Sequence, residues 1–266
     1  MTSSTTSGTS APLTVAPGAP IWTDLATSDL ARAESFYSEV FGWTPRHTSE
    51  ELGGYVNFDS DGAVVAGMIG NRPDSGFPDG WTTYLASSDA RATVAAAPDA
   101  GGRVVIEAMD VENLGVMALL ADAGGAPVGI WQPGAHQGFA ASRRAGAPVW
   151  HELLTRDFAP SVAFYERAFG WRTKVMGDTD EFRYTVQVDD RDEQLAGIMD
   201  AAAFLPEGAP AAWHTYWGCA DVDATLATVE RLGGRVVQPA EDTPYGRLAT
   251  AADPTGAVFK LSSVES

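Results

Sequence analysis

Cysteine is almost absent: Cys219 stands alone in 266 residues. One thiol cannot close an intramolecular disulfide, so the expected compartment is a reducing cytoplasm. No run of about 18 apolar residues occurs, which leaves no candidate for a membrane span. Positive charge is scarce, with 17 Lys and Arg against 35 Asp and Glu and a net charge of −18. Such a surface disfavours nucleic acid and anionic lipid as partners. Also missing are a Gly-rich phosphate loop, a G-x-S-x-G elbow and any Cys/His cluster with zinc spacing. The opening "MTSSTTSGTSAPLTVAPGAP" has neither a basic start nor an apolar stretch, so it is not a secretory signal. Its Ser, Thr, Pro and Gly content predicts a flexible tail over residues 1–18.

What is present is repetition. "APIWTDLATSDLARAESFYSEVFGW" (Ala19–Trp43) aligns without a gap on "APVWHELLTRDFAPSVAFYERAFGW" (Ala147–Trp171), with 12 of 25 positions identical. Further on, "GGRVV" recurs at Gly101 and Gly233, "AGM" at Ala66 answers "AGI" at Ala196, and "ADAGG" at Ala121 answers "ADPTG" at Ala252. The offsets stay between 128 and 132 residues. An internal duplication follows, with one domain over 19–133, a Gly/Ala/Pro-rich linker over 134–146 and a second domain over 147–264. Each half divides again. Extended segments run into Asp29, Asp89, Asp157 and Asp221, and a helix starts at each, because an Asp carboxylate accepts the unpaired amides of a first helical turn. Leu30, Ala33, Phe36, Tyr37, Val40 and Phe41 then recur at helical spacing, and Gly42 ends that helix. Short strands such as "YVNFD" and "FRYTVQV" fill the rest. The fold class is therefore α+β, as four βαβββ modules.

Strand–Asp–helix with "FY…FGW", a "GG" before a strand and a closing "ADPTG" turn resemble the vicinal oxygen chelate superfamily of glyoxalases, extradiol dioxygenases and bleomycin-resistance proteins. The doubled phrase is most similar to tandem glyoxalase-like proteins of actinobacterial type. The resemblance implies two tandem glyoxalase-like domains, each a curved mixed sheet forming a cup for a small ligand. It also implies metal slots: a His or Gln seven residues before each Asp cap, and a Glu on each closing strand. Here the first set is Trp22, Thr82, Trp150 and His214, and the closing slots are Gly129 and Lys260. A catalytic divalent ion needs about three protein ligands. The slots therefore predict no metal and no cofactor; metal-dependent lyase or dioxygenase chemistry returns only with a different slot alignment.

Alternation along a strand sends the slot residues and those two and four further on to one face. The first cup is then expected to present Trp22, Asp24, Thr82 and Tyr84 to a ligand, and the second Trp150, Glu152, His214, Tyr216 and Lys260. Leu25, Leu85, Leu153 and Trp217 fall on the helix side, as do His151 and Cys219. Trp22 and Trp150 suit an aromatic floor for a planar ligand, or fill a vestigial metal site. His214 oriented by Glu152 suits a general base or acid, with Tyr216 and Lys260 polarising a ligand oxygen; the same set also suits a lining without chemistry. Tyr245 and Arg247 are candidates for the rim. His47 and the linker His136 are expected at the surface. The functional expectation is a metal-independent isomerase, cyclase or lyase of natural-product metabolism. The alternative is a protein that sequesters a planar toxic metabolite. Either works as a monomer of two fused domains or as a homodimer.

Overall fold

The structure, a computed structural model, describes residues 15–49 and 53–264; most of the expected tail lies outside the described residues. The first half contains β1 (Pro20–Thr27), α1 (Leu30–Phe41), β2 (Thr44–His47), β3 (Val56–Ser60), β4 (Ala63–Gly70), β5 (Gly80–Ala86), α2 (Ala90–Ala96), β6 (Arg103–Val111), β7 (Gly115–Ala121) and β8 (Pro127–Pro133). The second repeats the order with β9 (Pro148–Thr155), α3 (Phe158–Phe169), β10 (Arg172–Asp178), β11 (Arg183–Val188) and β12 (Gln194–Asp200). It closes with β13 (Ala212–Cys219), α4 (Val222–Arg231), β14 (Arg235–Thr243), β15 (Gly246–Ala252) and β16 (Val258–Ser263). Among the described residues these strands form two eight-stranded sheets of identical design, β2-β3-β4-β1-β5-β8-β7-β6 and β10-β11-β12-β9-β13-β16-β15-β14. Each module pairs its first and last strands in parallel, and the two modules of a sheet join through an antiparallel central pair, β1–β5 or β9–β13.

The helix starts follow the sequence. Asp29, Asp89 and Asp221 accept from the backbone nitrogens of Arg32, Ala92 and Ala224 at 3.1, 3.0 and 2.9 Å. Asp157 stands at the same position without that side-chain bond. Gly42 and Gly170 end α1 and α3 in the left-handed region, at φ 70° and 68°.

The helices lie between the two sheets, and the two larger cores each draw on both halves, while smaller clusters around Trp22 and Tyr184 stay within one half. One core joins α1, β3 and β4 to Trp217, α4 and β16; the other joins α2, β7 and β8 to α3, Leu153 and Trp213. The repeated phrase makes this join. Tyr37 Oη donates to Asp253 Oδ2 at 3.0 Å and accepts from Trp81 Nε1 at 3.0 Å. Its counterpart Tyr165 donates to Asp122 Oδ2 at 2.9 Å and accepts from Trp213 Nε1 at 2.7 Å. Each Asp belongs to the "ADAGG" or "ADPTG" turn of the opposite half, where its other oxygen accepts backbone amides. The closing tryptophans act across the same boundary: Trp43 Nε1 donates to Gly146 O at 2.7 Å and Trp171 Nε1 to Gly18 O at 2.9 Å. Residues expected in the tail and linker are thus docked.

Leu25, Leu85, Leu153 and Trp217 are fully buried on the helix side. His151 is buried as well, stacked on Phe139 at 5.6 Å, its Nδ1 lying 3.1 Å from Thr215 Oγ1, and burial lowers its pKa to about 3. Cys219 is also buried, its Sγ 3.6 Å from Ser262 O, and burial pushes the thiol up to about 11. His47 is at the surface, with Nε2 3.0 Å from Glu34. No helix among the described residues is long and apolar enough to cross a membrane.

Candidate functional site

The faces turned away from the helices are the cups, and their central strands carry one construction twice. In the first, Trp22 lies opposite Tyr84, and Asp24 opposite Thr82. Trp22 Nε1 donates to Tyr55 Oη at 2.8 Å, and Tyr55 donates to Asp24 Oδ2 at 3.2 Å. In the second, Trp150 lies opposite Tyr216, and Glu152 opposite His214. Trp150 Nε1 donates to Tyr184 Oη at 3.0 Å, and Tyr216 donates to Glu152 Oε2 at 2.8 Å.

Tyr55 and Tyr184 were not among the residues expected. Their signal lay in the repeated "AGM" and "AGI". A Cβ on Gly67 would meet the Tyr55 ring, and one on Gly197 the Tyr184 ring, far inside contact distance. Each glycine sits beside the cup carboxylate, Gly67 next to Asp24 and Gly197 next to Glu152. Glycine here makes room for a phenol lying on the sheet.

The cups diverge at the closing strand. In the first, Tyr84 lies over Gly129, where a Cβ would come within 2.2 Å of its ring. In the second the same register position holds Lys260, whose Nζ donates to Tyr216 Oη at 2.9 Å and lies 3.6 Å from Glu152 Oε2. Burial lowers the lysine pKa, opposed by the Glu152 charge, while burial and Glu152 together keep Tyr216 protonated by raising its pKa. Beside this chain opens a groove of about 230 Å³, lined by Tyr216, Lys260, Thr250, Gln238, Glu241 and Leu248 among others. Pockets that enclose drug-sized ligands start near 300 Å³, so this one suits a small ligand or the edge of a larger planar one.

The first cup is differently furnished, because the linker enters it. Gly134 and His136 bond back to Leu114 O, and Phe139 N donates to Ile21 O at 2.9 Å. The His136 ring meets Trp22 edge-on at 4.4 Å between centroids, and Phe139 lies 5.5 Å from Trp22. The surface position expected for His136 is therefore overturned. Its Nε2 is buried without a hydrogen-bond partner among the described residues, and burial lowers its pKa to about 4. Trp22 is 3% exposed beneath these residues and offers no open floor. Asp24, likewise buried, has its carboxyl pushed up to about 7 by desolvation, opposed by the phenols of Tyr55 and Tyr84. Thr82 is half-buried beside it.

Two further expectations are redirected. His214 faces Glu152 across the β9–β13 pair, but burial first and the Lys260 charge second lower its pKa to about 3. Its side chain is only half-buried on the cup face, and both effects weaken it as a general base near pH 7. Arg247 is held by Asp223 at 2.6 Å and Asp242 at 3.0 Å, which ties β15 to the start of α4 and not to the groove. Tyr245 is 71% exposed at the turn before β15.

The fold class implies a divalent metal, and the cup residues do not fit one. At the closing slot of the second cup stands an ammonium group, and Trp150 turns an indole N–H toward Tyr184. Glu152 and His214 are the only ligand-type side chains of that floor, and the carboxylate is already engaged by Tyr216 and Lys260. Among the described residues no three His, Cys, Asp or Glu side chains are grouped to hold a metal ion.

Duplicated βαβββ modules, mixed sheets and paired cups define a glyoxalase-type protein. The chain belongs to the Glyoxalase/Bleomycin resistance protein/Dioxygenase superfamily, whose family model matches residues 20–130 and 148–261. It is 35% identical over 266 residues to "Anthracycline biosynthesis protein DauV" of Streptomyces sp. (strain C5), covering 92% of this chain and 93% of that protein. It is 34% identical over 249 residues to "Putative glyoxylase CFP32" of Mycobacterium tuberculosis (strain CDC 1551 / Oshkosh), covering 92% and 94%. Among solved structures it resembles the Mn(II)-bound glyoxalase from Novosphingobium aromaticivorans, with a TM-score of 0.63 and 16% identity over 93% of this chain and 82% of that one. That likeness is one of fold.

Proposed function

We propose that the second cup binds a small, planar, oxygen-bearing metabolite of secondary metabolism and performs acid–base chemistry on it without a metal. The observation that carries this reading is the chain Lys260–Tyr216–Glu152 beside an open groove. The name of DauV, an anthracycline biosynthesis protein, supports a planar natural product as ligand. Lys260 meets the ligand oxygen. Its burial lowers the cost of releasing a proton, and Glu152 keeps the ammonium in place until the ligand arrives. Tyr216 fixes the Glu152 carboxylate, Trp150 and Tyr184 are bonded to each other behind it, and His214 faces it across the β9–β13 pair. Tyr245 stands at the rim. A reaction passing through an enolate fits this set, with Lys260 giving a proton to the ligand oxygen and the Glu152 carboxylate taking the proton released from carbon: isomerisation, cyclisation or elimination. In the first cup, Trp22, Asp24, Thr82 and Tyr84 have a structural role beneath the linker.

A direct test follows the keto–enol interconversion of benzoylacetone, an aryl β-diketone, with chelator-treated protein. General acid catalysis contributes about 100-fold or more, so the expected result is an acceleration that Lys260→Met abolishes. The second reading, sequestration, is favoured by one observation, the weakly basic His214. It takes over if the diketone binds in the groove and its interconversion is not accelerated.

A further inference from the structure

The duplication supplies an internal control for what the fold itself requires. Across the first sheet, one transverse row of cup-facing positions reads Trp22, Tyr84, Gly129, Leu119 and Ile106, each in register with the next. The same row of the second sheet reads Trp150, Tyr216, Lys260, Thr250 and Gln238. The first two positions are the same in both halves. The last three change from Gly, Leu and Ile to Lys, Thr and Gln. An apolar row satisfies the sheet in one half, so the polar row in the other is not imposed by folding.

Neighbouring strands lie about 4.8 Å apart, which makes these three side chains a comb along one wall of the groove. Thr250 Oγ1 donates to Gln238 Oε1 at 2.7 Å. That bond occupies the amide oxygen and leaves the amide N–H₂ as the donating end. Lys260 gives one N–H to Tyr216 and lies 3.6 Å from Glu152, and an ammonium has three donors. The wall therefore offers N–H donors from a cation and from an amide. Glu241, the carboxylate on the groove, is exposed at its outer end.

We infer that Lys260 and Gln238 set the ligand class of the second cup: a planar ring that carries an ionised oxygen, phenolate or enolate, with a second oxygen on the same edge. Lys260 takes the ionised oxygen and Gln238 the neutral one, with Thr250 orienting Gln238. This rests on the second cup being the planar-ligand site, and adds which ligands it prefers.

The test is calorimetric titration of the full chain with two naphthoquinones of nearly equal shape. 2-Hydroxy-1,4-naphthoquinone is an anion at neutral pH, and its 2-methoxy ether is neutral. The expected result is at least about tenfold tighter binding of the hydroxy compound, the range of a hydrogen bond to a charged group. Lys260→Met should weaken the hydroxy compound alone and erase the preference. Gln238→Leu, at an exposed position that folding tolerates, should weaken both compounds. Equal affinity for the two compounds, or a Lys260→Met loss shared by both, overturns the inference and leaves the cup as a planar-ligand site. Failure of both compounds to bind overturns that site reading and the selectivity with it.

Discussion

Lys260 occupies a position where its counterpart has no side chain at all, and that single difference reorganises the second cup. Over Gly129 the Tyr84 ring lies against the sheet; beside Lys260 the Tyr216 hydroxyl becomes the link between ammonium and carboxylate. The titrations around these groups give a checkable pH dependence. His136, His151 and His214 have folded pKa values of about 4, 3 and 3, below the unfolded value of about 6.5. The unfolded chain binds their protons first, so stability falls as pH drops below about 6.5. Asp24 works the other way: its folded pKa of about 7 lies above the unfolded value, so its share is full below about pH 4 and gone above about 7. Three histidines outweigh Asp24, and urea unfolding should show stability declining from about pH 6.5 to 5. His214→Gln removes one contribution and should decline less. Equal slopes would mean that His214 titrates normally in the fold, and would restore it as a base. The alternation rule placed Glu152, His214, Tyr216 and Lys260 on one face from sequence alone. It could not give the proton affinity of His214, because desolvation depends on every element packed around the imidazole.

At the scale of elements, α1 and α3 explain the doubled "FY…FGW". Their tyrosines and tryptophans are the contacts by which each half closes the core of the other. The turn aspartates they reach are 216 and 43 residues away in sequence, Tyr37 to Asp253 and Tyr165 to Asp122. Tyr165→Phe leaves Asp122 Oδ2 and Trp213 Nε1 without their buried partner. The expected loss is about 1–3 kcal/mol in denaturant unfolding, and Tyr37→Phe should match it at the symmetry-related site. A loss confined to one of the two would break the equivalence of the joins. The helices, their Asp caps and the Gly stops were legible because each is a local pattern. The partners of those helices were not, since pairing between distant modules leaves no periodicity to read. Tyr55 and Tyr184 fall between the two cases: the repeated glycine opposite each was visible, and its purpose needed the sheet register.

Over the whole molecule, duplication made two cups and the linker made them unequal. His136 and Phe139 close over Trp22 in the first, while the second keeps its groove. Composition gave no hint of this, since a Gly/Ala/Pro-rich connection looks the same whether it hangs free or fills a cavity. The slot residues were legible in the sequence, and the geometry adds what they do there: an indole turned to a phenol and an ammonium bonded to a tyrosine. The central claim is that the second cup binds and works through Lys260 with no metal ion. Elemental mass spectrometry on protein purified without chelator or affinity tag tests it most directly. The account predicts every transition metal well below one equivalent, with no gain when a metal is added back. A stoichiometric metal, lost together with ligand binding in Glu152→Gln, would contradict it.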